Sequence, residues 1–253
     1  MTLLSVRGVS KRFGGLQAVN DLSFDVAAGS IKALIGPNGA GKTTLFNLIS
    51  GFLRPDRGEI VFGGTEVQAM PSFRIASLGM VRTFQHIRLF PKMTVLENIM
   101  VGRHVHSSAG FLAGMLNLPS TWREERRIRE KSHEVMELLG LTAHAGTEAV
   151  SLAYGQQRLV EIGRALACEP KLLLLDEPAA GLNMRETNEM GGLIGGIRNL
   201  GVTVLLVEHD MSLVMKISDE VVVLSYGQKI AEDRPLAVQK NPEVIRVYLG
   251  DDQ

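Results

Sequence analysis

A chain of 253 residues with 45% hydrophobic and 21% charged side chains has the make-up of an ordinary globular protein, long enough for one large domain or two small ones. Its 27 basic and 27 acidic residues cancel, which removes the electrostatic ground for general nucleic-acid binding and permits association with other proteins. The single cysteine, Cys168, excludes an internal disulfide and fits a reducing compartment; no apolar run approaches the roughly 18 residues of a membrane span, and the first residues (MTLLSVRGVSKRF) do not read as a signal peptide.

Residues 3–35 read as β-strands with turns. LLSV is followed by Lys11-Arg12 and Phe13-Gly14-Gly15, and LSFDV alternates as a half-buried strand does. Ile31–Ile35 is a short apolar strand, and Thr44–Ser50 (TLFNLIS) reads as a helix start. Glu59–Phe62 and Met80–Phe84 continue the sheet. From Gln85 to about Ala165 helical patterns dominate, with one helix predicted over Trp122–Gly140. Its mixed-sign WREERRIREK stretch is a solvated face rather than a nucleic-acid patch. His104 and His106, with no Cys or carboxylate cluster beside them, read as loop residues rather than metal ligands.

From Leu166 onward strands and helices alternate. Strands are expected at Leu172–Leu175, 202–207 and 220–225, and at QKIAE after a Tyr226-Gly227 turn. Cys168 reads as a small buried hydrophobe. Met190–Ile197 should be helical although its four glycines cost about 1 kcal/mol each relative to alanine. Either a neighbour packs very close there or that helix is locally weak. Asn241-Pro242-Glu243 reads as an N-cap with proline at the first helical position.

Two segments carry chemistry. Gly36-Pro37-Asn38-Gly39-Ala40-Gly41-Lys42-Thr43 fits GxxxxGK[ST] between a strand and a helix. Its glycines let backbone N–H groups turn inward as an anion nest, and the helix start, with Thr44, points its positive end at phosphates. Lys42 can reach the β- and γ-phosphates, and Thr43 offers a hydroxyl to Mg²⁺. Leu172–Leu175 is apolar on both faces, as a buried parallel strand is, and ends on Asp176 and Glu177. Asp176 would hold the metal through water, and Glu177 would orient or deprotonate an attacking water. Together these describe a site for a nucleoside triphosphate, its Mg²⁺ and water. A guanine-specific NKxD motif is absent from the sequence.

With Gln85, the segment Ser151-Leu152-Ala153-Tyr154-Gly155-Gln156-Gln157-Arg158 and Val207-Glu208-His209-Asp210 added, the chain resembles the ATP-binding cassette (ABC) family over nearly its whole length. The resemblance implies an α/β P-loop NTPase fold: a RecA-like core (1–84 and 166–253) with an N-terminal antiparallel β portion and an inserted helical subdomain at about 85–165. It also implies residue roles. Gln85 is the Q-loop residue, near metal and water. Leu152, Ala153, Tyr154, Gly155 and Gln156 form the signature. Ala180-Gly181-Leu182-Asn183 is the D-loop, His209 the switch histidine, and Phe13 the aromatic that stacks on adenine.

The signature is a second anion site at a helix start, which the family uses in a head-to-tail dimer, clamping ATP between one subunit's phosphate loop and the other's signature. Ala153 stands where the signature commonly has serine, and Asn183 where the D-loop commonly has aspartate. Both departures, with YGQQR, DEPAAGLN, EHDM and NPEVI-x-x-YLG, resemble the ATPases of branched-chain amino acid importers. That branch implies ATP hydrolysis at the cytoplasmic face of the cell membrane. Its partners are a second ATPase, self or paralogue, two permease subunits and, indirectly, an external solute-binding protein. The ATPase of a lipid or lipopolysaccharide exporter, and a soluble non-transport ABC ATPase, are the alternatives.

Overall fold

The computed structural model describes residues 1–103 and 119–249; His104, His106 and Gly250 lie outside the described residues. In chain order come β1 (Thr2–Phe13), β2 (Leu16–Ala27), β3 (Ile31–Ile35), α1 (Lys42–Ile49), β4 (Arg57–Phe62), β5 (Thr65–Glu66), α2 (Ser72–Ser77) and β6 (Met80–Arg82). Then follow α3 (Val95–Arg103), α4 (Pro119–Leu138) and α5 (Tyr154–Ala167). The chain returns to β7 (Leu172–Asp176), α6 (Met184–Asn199), β8 (Thr203–Val207), α7 (Met211–Ile217), β9 (Glu220–Ser225), β10 (Gln228–Asp233), α8 (Pro235–Lys240) and α9 (Pro242–Leu249). It divides into two units, Met1–Arg82 with Lys171–Gln253, and Thr83–Pro170.

The first unit holds two sheets. An antiparallel sheet runs β2-β1-β4-β5, and a larger sheet runs β10-β9-β3-β8-β7-β6, parallel except at β10. Every residue of β3, β7 and β8 is buried, which is why these strands are mostly apolar without alternation, Lys32 in β3 being a buried exception. The inner faces of both sheets close on α1, with Val6, Leu22, Phe46, Ile60, Leu174 and Val222 in one core. Register does the functional work. Val207 pairs with Leu34 on one side and Asp176 on the other, so β3, β7 and β8 end level. Loops carrying ligand chemistry therefore leave one edge, where open α/β sheets bind ligands.

Element bounds differ from the sequence expectation where long-range contacts decide them. β1 runs on through Lys11 and Arg12, which pair with Val19 and Gln17 of β2, while Asp56 accepts from Lys11 Nζ and from the Arg12 N–H, each at 2.7 Å. β6 stops at Arg82 instead of Phe84, and the Phe84 and Gln85 carbonyls accept from Arg158 instead of from a strand. α1 starts at Lys42 and α4 already at Pro119. The glycine-rich segment is helical, within α6. A Cβ on Gly191 would lie 2.8 Å from Leu213 Cδ1, so that glycine admits α7; Gly192, Gly195 and Gly196 face open space, and nothing in the structure explains them. Asn241 caps α9, accepting from the Glu243 N–H at 2.9 Å.

In the second unit α3, α4 and α5 pack together. α3 lies so close to α5 that a Cβ on Gly102 would sit 2.0 Å from the Arg164 carbonyl oxygen. Cys168 is buried at the end of α5, and burial pushes its thiol up to about 11, which makes it unreactive.

Candidate nucleotide site

The phosphate loop joins β3 to α1. Gly36, Gly39 and Gly41 have φ of +150°, +79° and +98°, values that side chains beyond Cα make costly. A Cβ on Gly36 would lie 2.2 Å from the Leu224 carbonyl oxygen, and one on Gly41 2.4 Å from that of Ala18. The glycine spacing thus reflects both conformation and close approach. Pro37, Asn38 and Ala40 complete the loop, Thr43 is exposed in the first turn of α1, and Thr44 follows. Lys42 is 6% exposed, and its Nζ donates to the Gly36 and Pro37 carbonyls at 2.7 and 2.9 Å. Burial lowers its pKa from the ordinary lysine value, against the pull of Glu177 and Asp176. A buried ammonium held by neutral carbonyls in a glycine nest is a site fitted to an anion.

Across the sheet edge, β7 delivers Asp176 buried and Glu177 just beyond it in the left-handed region, φ +49°. The Glu177 N–H donates to the Val207 carbonyl at 2.9 Å, so β8 holds it there. Glu177 Oε1 and His209 Nε2 are 2.7 Å apart. Lys42, Asp176, Glu177 and His209 therefore converge in the first unit. Glu208, buried, directly precedes His209. Its Oε1 accepts from the Ala179 N–H at 2.7 Å and its Oε2 from the His209 N–H at 3.0 Å, and burial raises its pKa. Asn183 caps α6, accepting from the Arg185 and Glu186 N–H groups, while Glu186 reaches back to the Asn183 N–H. Asn183 therefore has a helix-capping role.

Phe13 ends β1 at the tip of the β1–β2 hairpin, 46% exposed, with Lys11 Nζ 5.7 Å from its ring centre. The start of β2 lies against the phosphate loop through Ala18 and Gly41. Gln85 and the signature lie in the second unit. Leu152 and Ala153 precede α5, which Tyr154, Gly155 and Gln156 begin. The fully buried Arg158 donates to the Phe84 and Gln85 carbonyls and to the Tyr154 hydroxyl, tying the Phe84–Gln85 backbone to the first turn of α5. The Gln156 and His144 side chains are 3.1 Å apart.

The family model for ABC transporters matches residues 19–180, and that for the branched-chain amino acid ATP-binding cassette transporter matches residues 228–253. The chain belongs to the ABC transporter family. This ABC ATPase is 47% identical to the high-affinity branched-chain amino acid transport ATP-binding protein BraF of Pseudomonas aeruginosa and 46% identical to LivG of Escherichia coli K12, each over 98% of both chains. A solved ATP-binding cassette of an ABC transporter, in its ADP conformation, superposes with a TM-score of 0.86 at 33% identity, covering 99% of both chains. The fold is that of an ABC cassette, and the chain is an ATP-binding and ATP-hydrolysing subunit.

The ABC ATPase has the donor set that Mg²⁺ requires when it arrives with phosphates: one hydroxyl, Thr43, and one buried carboxylate, Asp176. Among the described residues no group of three or more His, Cys, Asp or Glu side chains gathers as a metal cage. No helix among those residues is long and apolar enough to cross a membrane. Sequence reasoning missed Arg82, Glu208 and Tyr248 as site residues. Burial pushes the Tyr248 phenol up to about 12, against the opposing pull of the Gly36 backbone, so α9 lies near the phosphate loop. The only sequence signal was YLG in the C-terminal wording.

Proposed function

We propose that this subunit energises import of branched-chain or related amino acids through a membrane transporter. The observation that carries this is likeness along the entire length to proteins named for branched-chain amino acid transport, including the C-terminal segment 228–253. ATP lies with its base against Phe13 and its phosphates on the N–H groups of Gly36–Thr44. Lys42 exchanges its two carbonyl partners for β- and γ-phosphate oxygens. Thr43 and Asp176 would hold Mg²⁺, with Gln85 beside it by its Q-loop match; the ion would neutralise charge on the β- and γ-phosphates. Glu177 accepts a proton from the attacking water as that oxygen joins the γ-phosphorus and the bond to ADP breaks. His209 orients Glu177 and donates to the γ-phosphate.

The signature residues Leu152–Gln156 serve the ATP of a second ATPase subunit in a head-to-tail dimer. Two permease subunits anchor that dimer at the cytoplasmic face of the membrane, and a solute-binding protein acts from outside. Ala153 withholds a hydroxyl that serine would offer across the dimer, so backbone N–H groups and Gly155 carry that contact. Uptake of radiolabelled leucine, isoleucine and valine tests the reading in cells deleted for this gene. Restoration by the native chain but not by Lys42→Ala is expected; undiminished uptake in the deleted cells would overturn the importer assignment.

A further inference from the structure

Arg82, at the C-terminal end of β6, makes contacts that no motif announces. Its Nη1 donates to Asn47 Oδ1 at 2.7 Å and to Ser50 Oγ at 3.0 Å. Its Nη2 donates to Asp176 Oδ2 at 2.7 Å. The Phe46 and Phe52 rings lie 5.5 and 5.8 Å from the guanidinium centre, within cation–π range. Asn47 belongs to α1 and Ser50 is its C-cap, whereas Asp176 ends β7. One side chain therefore joins the helix that follows the phosphate loop to the carboxylate that would hold the metal. The Arg82 and Asp176 side chains are only 6% and 4% exposed.

The arrangement needs an arginine. Its planar fork presents donors in two fixed directions, whereas a lysine is a point charge on a flexible stem. Buried charges persist when paired and hydrogen-bonded, and removing one partner leaves the other uncompensated. Groups that hold a metal ligand in place also set how well it binds, because a ligand free to turn loses its aim.

We propose that Arg82 is a positioning residue for the metal site. It locks the Asp176 carboxylate to α1, so that the metal-holding oxygen and the phosphate loop keep one spacing before nucleotide arrives. The proposal rests on the nucleotide reading above. Arg82 acts through Asp176 rather than on the reacting atoms, holding it to Asn47 and Ser50. Its effect should appear in metal-dependent binding and be nearly silent in metal-free binding, where Lys42 and the loop N–H groups act alone.

Binding of a fluorescent, non-hydrolysable ATP analogue to the full chain, with excess Mg²⁺ and separately with EDTA, tests this. Arg82→Lys keeps the charge and loses the fork. Its affinity with Mg²⁺ should fall about tenfold, at the low end for a residue supporting a metal ligand, while affinity in EDTA stays within about twofold of native. Unchanged or tighter binding with Mg²⁺ overturns the proposal, and so does an equal loss in both conditions, which marks a general scaffold role. If Arg82→Lys does not fold, the double variant Asn47→Ala, Ser50→Ala decides. It keeps the Arg82–Asp176 pair and removes the two hydrogen bonds to Asn47 and Ser50, so the same split should appear at smaller size, and no split there overturns the proposal. Failure of the native chain to bind the analogue in either condition would sink the nucleotide reading and this proposal with it.

Discussion

His209 Nε2 and Glu177 Oε1 stand 2.7 Å apart, His209 just beyond the end of β8 and Glu177 just beyond the end of β7. The two strands run side by side with Asp176 opposite Val207, and the Glu177 N–H is tied to the Val207 carbonyl. The pair is therefore held by backbone as well as by side chains. A histidine here has two uses: it fixes the rotamer of the base and it offers a hydrogen bond to the γ-phosphate. His209→Ala should lower ATP turnover about 10²–10³-fold, the scale for losing one donor to a developing charge. Nucleotide affinity should stay close to native. Steady-state hydrolysis beside a binding titration measures both, and native turnover would remove His209 from the mechanism.

Phe13 gives a separate test because it is not in the core. With 46% of its surface exposed, its loss removes little buried area. Phe13→Ala should weaken ATP binding by about 1–3 kcal/mol, the range for a base stacked on an aromatic ring. Thermal stability should hardly change. A large fall in melting temperature at unchanged affinity would make Phe13 a packing residue instead.

Glu208 should matter through its two oxygens. One holds the Ala179 N–H, beyond Glu177, and the other holds the N–H of His209. Glu208→Gln offers a single carbonyl oxygen and turns an NH₂ toward one of those N–H groups. Turnover should fall while affinity for ATP holds. The pH dependence of stability should change as well. Burial raises the Glu208 pKa above 4.5, so the fold binds its proton more tightly than the unfolded chain does. That contribution is full below pH 4.5 and is lost as pH rises through the raised folded value. Native minus Glu208→Gln melting temperatures should therefore fall with pH across that window, and a flat difference would contradict the assignment.

The phosphate loop is legible in the sequence because its chemistry is local: glycine spacing, Lys42 and Thr43 lie within one strand–turn–helix unit. The end of β7 is legible because a strand buried on both faces has to be apolar, and two carboxylates after it need a reason. Residues that act across long sequence distance were not legible. Arg82 meets Asp176 from 94 positions away, and Glu208 reaches Ala179 from 29 positions away. Residues 83 and 84 read as strand from their own β-forming character, yet Arg158 takes the Phe84 carbonyl from 74 positions on and the strand ends. Of the two readings of the glycine-rich part of α6, a close neighbour or a locally weak helix, the first describes Gly191, whereas Gly192, Gly195 and Gly196 face open space. Space around a glycine depends on partners that lie elsewhere in the chain.

The most direct test of the account is ATP turnover by Glu177→Gln, measured with the partner ATPase and permease subunits present, beside an ATP-binding titration of the same preparation. Glutamine keeps the size and hydrogen-bonding capacity of the side chain and removes the base, while Lys42, Thr43 and Asp176 are untouched. Turnover should fall about 10²–10⁴-fold, the usual contribution of a general base, with ATP still bound and its dimer persisting because the closed state is no longer discharged. Hydrolysis at the native rate would contradict the assignment of Glu177, whatever the state of the dimer.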